Sequence, residues 1–374
     1  MEKICFVMAN YFKYFKGGAE LQAYLLAKEL SKEIEVHYLF MKHPNFSKIK
    51  FNKVDDGIIL YPMNQYVYRK FGKFFFMNYW ELLKKIREID PDLIYQRGGK
   101  PYIGMTSNWC EKNNKKSVLG ISMESNCYKS GILNFKKNIA SYPSNIINGA
   151  FTFRGLKKAD LIISQSKRQK ELLNNNFNLD STIIKNGLPF PKTISKKARP
   201  PIISWIANIK TLKQPEVFIK LAEKCEKLNV RFVYAGRPSH DSYQNMLLKK
   251  TGKLPNLKYL GELSLKETNE LLSESSLLIN TSITEGFSNT YIQAWMRETP
   301  VVTLNCDPDD IIKHNKIGFH SGSFKQLVND VIYLIENEVI RANMGKKARE
   351  YALGNHDIKI ISKNYLEIFR KLVN

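Results

Sequence analysis

The stretch SITEGFSNTYIQAWMRETPVV (residues 282–302) decides the fold, because it joins a strand pattern to a helix pattern through a short polar turn. The apolar run SLLINTS (residues 276–282) leads into it. Short buried strands that alternate with amphipathic helices predict a parallel sheet covered on both faces. Ligands of such sheets lie beyond the carboxyl ends of the strands. The turn after SLLINTS is therefore the first candidate for a ligand site.

The residue types in this turn fit a phosphorylated sugar. Ser288, Asn289 and Thr290 fall in the first turn of the predicted helix, where free backbone N–H groups and the helix dipole favour a phosphate. Glu285 just ahead of them would repel a diphosphate, but a carboxylate accepts hydrogen bonds from sugar hydroxyls. Gln293 returns to the same side of the helix and could reach further hydroxyls. The alternative is a capped helix with a glutamate on its surface.

The alternation of strands and helices runs along the whole chain and is interrupted once. The segment PFPKTISKKARPP (residues 189–201) is rich in proline and lysine, without apolar periodicity, and is typical of a linker. The sequence therefore predicts an α/β protein with two Rossmann-like, doubly wound domains facing each other across a cleft. We place the first domain at residues 1–190, the linker at 191–201, the second domain at 202–355 and a terminal helix at 356–374.

A second candidate turn contains Gly17 and Gly18, between the first predicted strand and the first helix. Glycines let a backbone approach a ligand closely, and amides at a helix start favour an anion. The spacing is not G-x-G-x-x-G, which disfavours a dinucleotide site. A flexible turn without a ligand is the alternative.

The charge of the chain is strongly positive and unevenly distributed. The formal net charge is +23, and residues 1–198, with 33 basic and 16 acidic residues, carry +17 of it. Such a surplus predicts an anionic partner such as a phospholipid surface, a lipid phosphate or a nucleic acid. Solvated lysine-rich faces without any partner are the alternative.

Cysteine usage and hydropathy predict a protein of the reducing cytosol. The five cysteines lie far apart without a C-x-x-C pair, which argues against disulfides or a zinc site. No signal peptide precedes the first strand, and no run approaches the roughly 18 apolar residues that cross a bilayer. We expect a cytoplasmic protein, or one bound peripherally to the inner face of the cytoplasmic membrane.

One stretch of the first domain suits a membrane surface. Residues Tyr66 to Glu88, YVYRKFGKFFFMNYWELLKKIRE, mix basic side chains with dense aromatic ones, as membrane interfaces do. Together with the local charge, this favours docking on an anionic leaflet. A helix with its apolar face in the core is the alternative. Nucleic acid is not expected, because the basic residues are dispersed and no recognition motif occurs.

Four motifs resemble retaining glycosyltransferases of family 4, which have the GT-B fold. TEGFSNTYIQA is similar to a pattern of two glutamates seven residues apart around a G-F-x-N turn. GGAE resembles the N-terminal glycine loop, IIKNGLPF the segment before the linker, and WIANIKTLKQPEVFIKLAEKC the donor-phosphate loop and helix. The terminal helix matches the one that crosses back onto the first domain. The resemblance covers nearly the full length.

The resemblance implies a role for each matching residue. Glu285 would contact the transferred sugar, and Lys213 would neutralise the departing nucleoside diphosphate. Gly17 and Gly18 would close over the diphosphate from the first domain, which would bind the acceptor. Further donor contacts are implied for Gly286, Phe287, Ser288, Asn289 and Thr290.

Three positions depart from the family pattern. Gln293 replaces the second glutamate, a ribose ligand, and as a neutral group makes a weaker contact. Asn208 replaces an arginine that pairs with the lysine, and Lys210 offers a substitute charge. Glu124 stands where many members have a histidine, and is a candidate for the acceptor side.

We therefore predict transfer of a sugar, with retained configuration, from a nucleotide donor to a polysaccharide or lipid-linked glycan in bacterial cell-surface synthesis. No metal or other cofactor is expected, because Asp90-Pro-Asp92 and Asp307-Pro-Asp309 are typical of turns and caps rather than metal motifs. Two alternatives from other classes remain. One is a non-catalytic protein that binds sugar nucleotides or glycans, and the other is a basic nucleic-acid-binding protein.

Overall fold

The computed structural model describes residues 1–15, 17–42, 53–64, 67–68, 72–98, 101–133, 142–239 and 241–374. They form two compact units, which are described separately. Unit 1 comprises Met1–Gly187 and Ile358–Asn374, and unit 2 comprises Leu188–Asp357. The predicted linker at 191–201 thus lies within unit 2.

Unit 1 is built on an eight-stranded sheet and a small two-stranded one. Its strands are β1 (Lys3–Val7), β2 (Glu35–Met41), β3 (Val54–Asp55), β4 (Ile58–Met63), β5 (Val67–Tyr68), β6 (Gly72–Lys73), β7 (Leu93–Arg97), β8 (Lys116–Gly120), β9 (Leu161–Ser164) and β10 (Thr182–Ile183). The large sheet has the order β10-β9-β8-β7-β1-β2-β4-β3. All its pairs are parallel except β3 with β4.

Helices cover the sheet of unit 1. They are α1 (Gly18–Leu30), α2 (Tyr79–Ile89), α3 (Tyr102–Lys112), α4 (Lys129–Leu133), α5 (Tyr142–Lys158) and α6 (Lys167–Phe177). The helices α3 and α5 approach closely because both carry a glycine at the contact: a Cβ at Gly104 would strike the Phe151 carbonyl, and one at Gly155 the Gly104 nitrogen. The helix α6 begins where the Ser166 side chain accepts a bond from Gln169 N at 3.2 Å.

Unit 2 contains a six-stranded parallel sheet. Its strands are β11 (Ile202–Ile206), β12 (Arg231–Ala235), β13 (Leu257–Tyr259), β14 (Ser275–Asn280), β15 (Val301–Thr303) and β16 (Gly318–His320). Their order is β13-β12-β11-β14-β15-β16, so the chain changes direction across the sheet between β11 and β14. Its helices are α7 (Pro215–Lys224), α8 (Asp241–Thr251), α9 (Leu265–Glu274), α10 (Asn289–Trp295), α11 (Ile311–Asn315), α12 (Phe324–Glu336) and α13 (Glu338–His356).

The last helix, α14 (Ile358–Val373), belongs to unit 1 and packs against α1. Its Tyr365 is buried and lies beside Arg97 at the end of β7, with 3.4 Å between the phenol oxygen and the guanidinium nitrogen Nη1. The chain end therefore completes the core of unit 1.

The predicted fold class is confirmed: both units are α/β, with parallel sheets between helices. No helix in the described ranges is long and apolar enough to cross a membrane. All five cysteines are free and buried.

Of the stretch 66–88, residues 66 and 69–71 lie outside the described ranges. In its described part α2 buries Leu82, Leu83, Ile86 and Ile89, as the alternative interpretation expected.

Candidate functional site

The candidate site of unit 2 lies at the switch point of its sheet. Since β11 and β14 are parallel neighbours, the loops that follow them start side by side at the carboxyl edge. Ligands of doubly wound sheets bind in the crevice at this point. The first loop carries Lys213 and the second carries Glu285, so the structure brings together two residues that lie 72 positions apart in the chain.

Lys213 and Glu285 form an ion pair between the lysine Nζ and the carboxylate Oε1. Both side chains are largely shielded, with exposed fractions of 21% and 12%. A charge pair in such a setting interacts more strongly than one in open water. The pair therefore presents one cation and one anion together, at the place where a sugar diphosphate would need both.

Glu285 is oriented by further donors. Ser282 Oγ donates to Glu285 Oε1 at 2.8 Å, and Asn280 Nδ2 lies 3.3 Å from the same oxygen. With Lys213, three donors converge on Oε1, and none from the described part of the chain reaches Oε2. One carboxylate oxygen is thus anchored while the other can accept a hydrogen bond from a ligand hydroxyl.

Lys213 is held through its backbone. It ends a 3₁₀ turn, Thr211–Lys213, and Thr281 Oγ1 lies 2.8 Å from its carbonyl oxygen. The indole N–H of Trp205 in turn donates to Thr281 Oγ1 at 2.9 Å. Because Trp205 and Thr281 are almost fully buried, the lysine loop is anchored in the core.

The turn between Glu285 and α10 differs from the sequence prediction in two respects. Ser288 occupies the N-cap position but does not cap the helix with its side chain, and its hydroxyl instead lies 2.7 Å from Thr290 Oγ1. The pattern SNTYIQAWMRE (residues 288–298) is typical of a helix that continues through Glu298, but α10 ends at Trp295. Phe287 is 6% exposed and packs against Trp295 and His356, so only backbone atoms at this residue remain candidates for ligand contact.

Gln293 is buried, at 5% exposure, and its amide nitrogen donates to Asn269 Oδ1 of α9 at 2.9 Å. This bond uses one of the two N–H groups of the side-chain amide. The second N–H and the side-chain oxygen Oε1 stay candidates for the predicted contact with hydroxyls. A glutamate here would instead have to accept from the Asn269 amide after an amide flip.

Tyr291 extends the polar network into the core. Burial, and then the nearby Glu285 carboxylate, raise the pKa of its phenol well above the ordinary value. The phenol is therefore neutral at physiological pH and lies 3.1 Å from Thr303 Oγ1 and 3.0 Å from the carbonyl oxygen of Cys306. It supports the base of the site rather than taking part in proton transfer.

Asn208 and Lys210 are exposed on the loop that leads to Lys213. The carbonyl oxygen of Lys210 accepts the N–H of Lys213 at 2.8 Å. Within the described residues, the side chains of Asn208 and Lys210 bond to neither Lys213 nor Glu285. Their contribution to donor binding stays a prediction.

In unit 1 the glycine turn carries an acid. Gly17 is the N-cap of α1 with an extended backbone, and a Cβ there would collide with the Glu20 carboxylate. Asn10 Nδ2 donates to Glu20 Oε1 at 3.1 Å. A side chain at position 17 would therefore require the Glu20 carboxylate to shift, and the diphosphate contact predicted for Gly17 and Gly18 stays a prediction.

Glu124 opens a short 3₁₀ helix after β8 and forms an ion pair with Arg168 of α6, at 2.9 Å between Oε1 and Nε. Its side chain is 22% exposed, so it remains reachable from solvent. The sequence did not identify Arg168, because only the fold brings these two segments together.

One aspartate of each Asp-Pro-Asp motif accepts from backbone N–H groups, and that of the second motif lies at a helix start, as a cap does. Asp92 Oδ2 accepts from the N–H groups of Glu2 and Lys3, and Asp307 from those of Ile312 and Lys313 at the start of α11. Within the described ranges, Asp307, Asp310 and His320 place potential metal-ligand atoms within 4.8 Å of one another. The expectation of metal independence concerns the reaction and stays a prediction.

Sequence reasoning missed the residues that fix the two charged groups. Asn280, Thr281 and Ser282 lie in the quoted run SLLINTS, where small polar residues at a strand end were the available signal. Trp205 gave no signal, because a buried tryptophan in a strand is ordinary core.

Two family models match the chain, one for each half. The model for glycosyl transferases group 1 matches residues 190–351, and the model for Glycosyltransferase Family 4 matches residues 16–189. Together they extend over most of both units, including the loops with Gly17, Lys213 and Glu285.

Curated relatives are distant. Trehalose synthase of Thermococcus litoralis is 28% identical over 181 residues, which are 45% of this chain and 43% of that protein. Poly(ribitol-phosphate) alpha-N-acetylglucosaminyltransferase of Staphylococcus aureus is 21% identical over 295 residues, 77% of this chain and 57% of that protein. The chain thus covers less than two thirds of both. An uncharacterized glycosyltransferase of Methanocaldococcus jannaschii, MJ1069, is 24% identical over 395 residues, 98% of each chain.

Solved structures match over the full length. Anabaena Alr3699/HepE in complex with UDP-glucose has a TM-score of 0.76 at 15% identity, covering 99% of this chain and 100% of that one. WaaG, a glycosyltransferase involved in lipopolysaccharide biosynthesis, has a TM-score of 0.75 at 14% identity, covering 98% and 99%. The structural neighbours have the GT-B fold, and this chain has that fold. The chain belongs to the GT-B glycosyltransferases of family 4 and group 1.

Proposed function

We propose that this protein transfers a sugar from a nucleotide-sugar donor to a lipid-linked or polysaccharide glycan, with retention of configuration. The observation that carries the proposal is the Lys213–Glu285 pair at the switch point of unit 2. Lys213 supplies the charge that a departing diphosphate needs, and Glu285 Oε2 supplies an acceptor for a hydroxyl of the transferred sugar. HepE binds UDP and UDP-glucose, so we place uridine nucleotides first among the candidate donors.

Positioning and charge stabilisation are the main contributions of the protein to this reaction. On donor binding, the phosphate oxygens compete with Glu285 for the Lys213 ammonium. The leaving diphosphate then gains negative charge next to that ammonium and accepts the proton of the acceptor hydroxyl on the same face of the sugar. The new glycosidic bond forms on the face that the diphosphate leaves, which retains the configuration. The residues named here supply this chemistry without a metal.

A panel of nucleotide sugars tests the donor. A donor present at 100 times its dissociation constant stabilises the fold by about 2.7 kcal/mol, which is seen as a rise in melting temperature. We expect one UDP-sugar to raise it and to be consumed with an acceptor in the presence of EDTA. The anomeric proton signal of the product then reports the configuration. A donor that binds without turnover favours a non-catalytic binding protein, and binding to nucleic acid alone would overturn the proposal.

We further propose that unit 1 docks on an anionic bilayer to reach a lipid-linked acceptor. Two large apolar side chains project outward near the start of α2: Trp80 is 74% exposed and Met77 is 40% exposed. Lys84 and Arg87 are exposed on the same helix. An exposed indole next to basic side chains fits the boundary between headgroups and acyl chains.

Vesicle sedimentation tests this surface. We expect binding to vesicles of phosphatidylglycerol and phosphatidylcholine, weakened by salt, and at least fivefold weaker for Trp80→Ser. Val339→Ser is the matched control, because Val339 of unit 2 is also 74% exposed. Equal binding of the two variants would exclude Trp80 as the contact.

A further inference from the structure

The turn that ends α10 is held by cationic side chains from three segments of unit 2. Arg349 of α13 donates to the carbonyl oxygen of Met296, and Arg297 donates to a carbonyl of α10 itself at 2.9 Å. Lys197, in the segment before β11, donates to the carbonyl oxygen of Arg297 at 2.8 Å and to Thr299 Oγ1 at 2.6 Å. Cations at these positions satisfy carbonyls that a helix end leaves open.

The lysine also ties its own segment to the core. Thr299 is fully buried and donates to the carbonyl oxygen of Leu272 at 2.7 Å. Ala198, the residue after Lys197, donates its N–H to the carbonyl oxygen of Glu274 at 3.0 Å. Residues 197 and 198 are thus docked on α9 and on the turn after α10, so the predicted linker is not a free tether at this point.

This arrangement places several positive charges close together. Burial lowers the pKa of Lys197 to about 7, with further lowering by Arg297 and Arg341 and an opposing effect of Glu298. The side chain nevertheless keeps enough hydrogens for two bonds, whether it is an ammonium group or a neutral amine. Its bonds to the turn are therefore present on both sides of neutral pH.

We propose that Lys197 is a positioning residue for the donor site. By fixing the end of α10 it sets the orientation of the helix that carries Asn289, Thr290 and Gln293. Since Lys197 belongs to the segment that enters unit 2, a displacement of that segment is transmitted to the donor residues. This inference rests on the proposed function, the binding of a nucleotide-sugar donor. It gives Lys197 an indirect effect on that binding, through the end of α10.

Three variants separate positioning from stability. Lys197→Met keeps the length of the side chain and removes both bonds, Lys197→Arg keeps the donors, and Lys197→Gln keeps one of them. Lys196→Met is the matched control, because Lys196 is the exposed neighbour in the same segment. For each variant we measure donor affinity by titration calorimetry, kcat and KM for the donor, and the melting temperature.

We expect Lys197→Met to weaken donor binding and raise its KM about tenfold, which corresponds to about 1.4 kcal/mol, with less than a twofold change in kcat. Lys197→Arg restores most of the affinity, Lys197→Gln is intermediate, and Lys196→Met equals the wild type. If Lys197→Met fails to fold, the donor affinities of Lys197→Gln and Lys197→Arg are compared instead. Wild-type donor affinity in all folded Lys197 variants overturns this inference alone, whereas absence of donor binding by the wild type overturns the proposed function.

Discussion

The sheets of both units are doubly wound, but the charged residues at their switch points differ in accessibility. In unit 2, the loops after β11 and β14 bring Lys213 and Glu285 into one partly shielded pair. In unit 1, the switch point lies between β1 and β7, where Arg97 is buried and hydrogen-bonded to Tyr95, Asn186 and Tyr365. One edge keeps its charged pair partly accessible to solvent, and the other buries its charged group in the core.

The difference teaches that position at a strand end indicates a site only when the charged group remains accessible. Lys213 and Glu285 are partly exposed, whereas Arg97 is buried and bonds to neutral partners. An arginine in that setting helps to fix the terminal helix rather than to bind a ligand. The comparison can be tested by removing charge from each edge in turn.

Replacement of Lys213 should have the largest effect. Lys213→Ala removes the charge that faces the departing diphosphate and should lower kcat on the order of 10²–10³, as for other preorganised charge contacts. Steady-state turnover of the donor identified by the panel measures the loss. Lys210→Ala, on the same loop but not paired with Glu285, is the control and should lose less than tenfold. Equal losses would mean that the ion pair does not single out the functional lysine.

Replacement of Arg97 should affect stability instead of chemistry. Arg97→Met removes the donor to Asn186 Oδ1 and leaves the Tyr95 and Tyr365 hydroxyls without this partner in a buried setting, a cost of about 2–3 kcal/mol. Calorimetry should show an earlier unfolding transition, while kcat of the remaining folded protein changes little. Arg154→Met, at an exposed site of unit 1, is the control. If Arg97→Met lowered kcat without lowering stability, the charged residues at the carboxyl edges of both sheets would take part in the reaction.

The fold and the position of the candidate donor turn could be predicted because their signals are local. A strand pattern, a polar turn and a helix pattern lie next to one another in residues 276–302, and the physics of parallel sheets places the turn at the ligand edge. Lys213 was instead identified by the resemblance of residues 205–225 to a donor-phosphate loop, because a lysine a few residues beyond β11 gives no signal by itself.

The contacts that hold the terminal helix and the segment before β11 could not be predicted, because they depend on long-range packing. Arg97 and Tyr365 are 268 positions apart, and Lys197 and Thr299 are 102 apart. The end of α10 at Trp295 also escaped prediction, since the pattern of apolar residues continues to Met296. There the carbonyls turn to Arg349 and Lys197 instead of the next helical N–H.

Replacement of Glu124 tests whether unit 1 contributes to sugar transfer, although its Arg97 is buried in the core. Glu124→Gln keeps the shape but removes the charge facing Arg168, and this partly exposed pair adds at most about 1 kcal/mol of stability. We expect hydrolysis of the donor to be unchanged and transfer to the acceptor to fall about tenfold, less than the roughly 10²–10⁴-fold typical of a general acid or base. Product analysis by mass spectrometry gives the ratio of transfer to hydrolysis. An unchanged ratio removes Glu124 from the acceptor side.

The smallest effect concerns the pH dependence of unit 2. An unfolded lysine has a pKa of about 10.4, and burial lowers that of Lys197 to about 7 in the folded chain. Between these values the unfolded chain binds more protons, so this residue makes the free energy of unfolding rise with pH, by about 1 kcal/mol from pH 7 to pH 8. Below pH 7 the contribution levels off, because both states are protonated. Denaturant titrations at pH 6, 7 and 8 should show this increment in the wild type relative to Lys197→Met, while Lys196→Met follows the wild type. If the difference in free energy of unfolding between the wild type and Lys197→Met did not change with pH, the Lys197 side chain would be solvated. Lys197 would then not lie in a buried group of positive charges with Arg297 and Arg341.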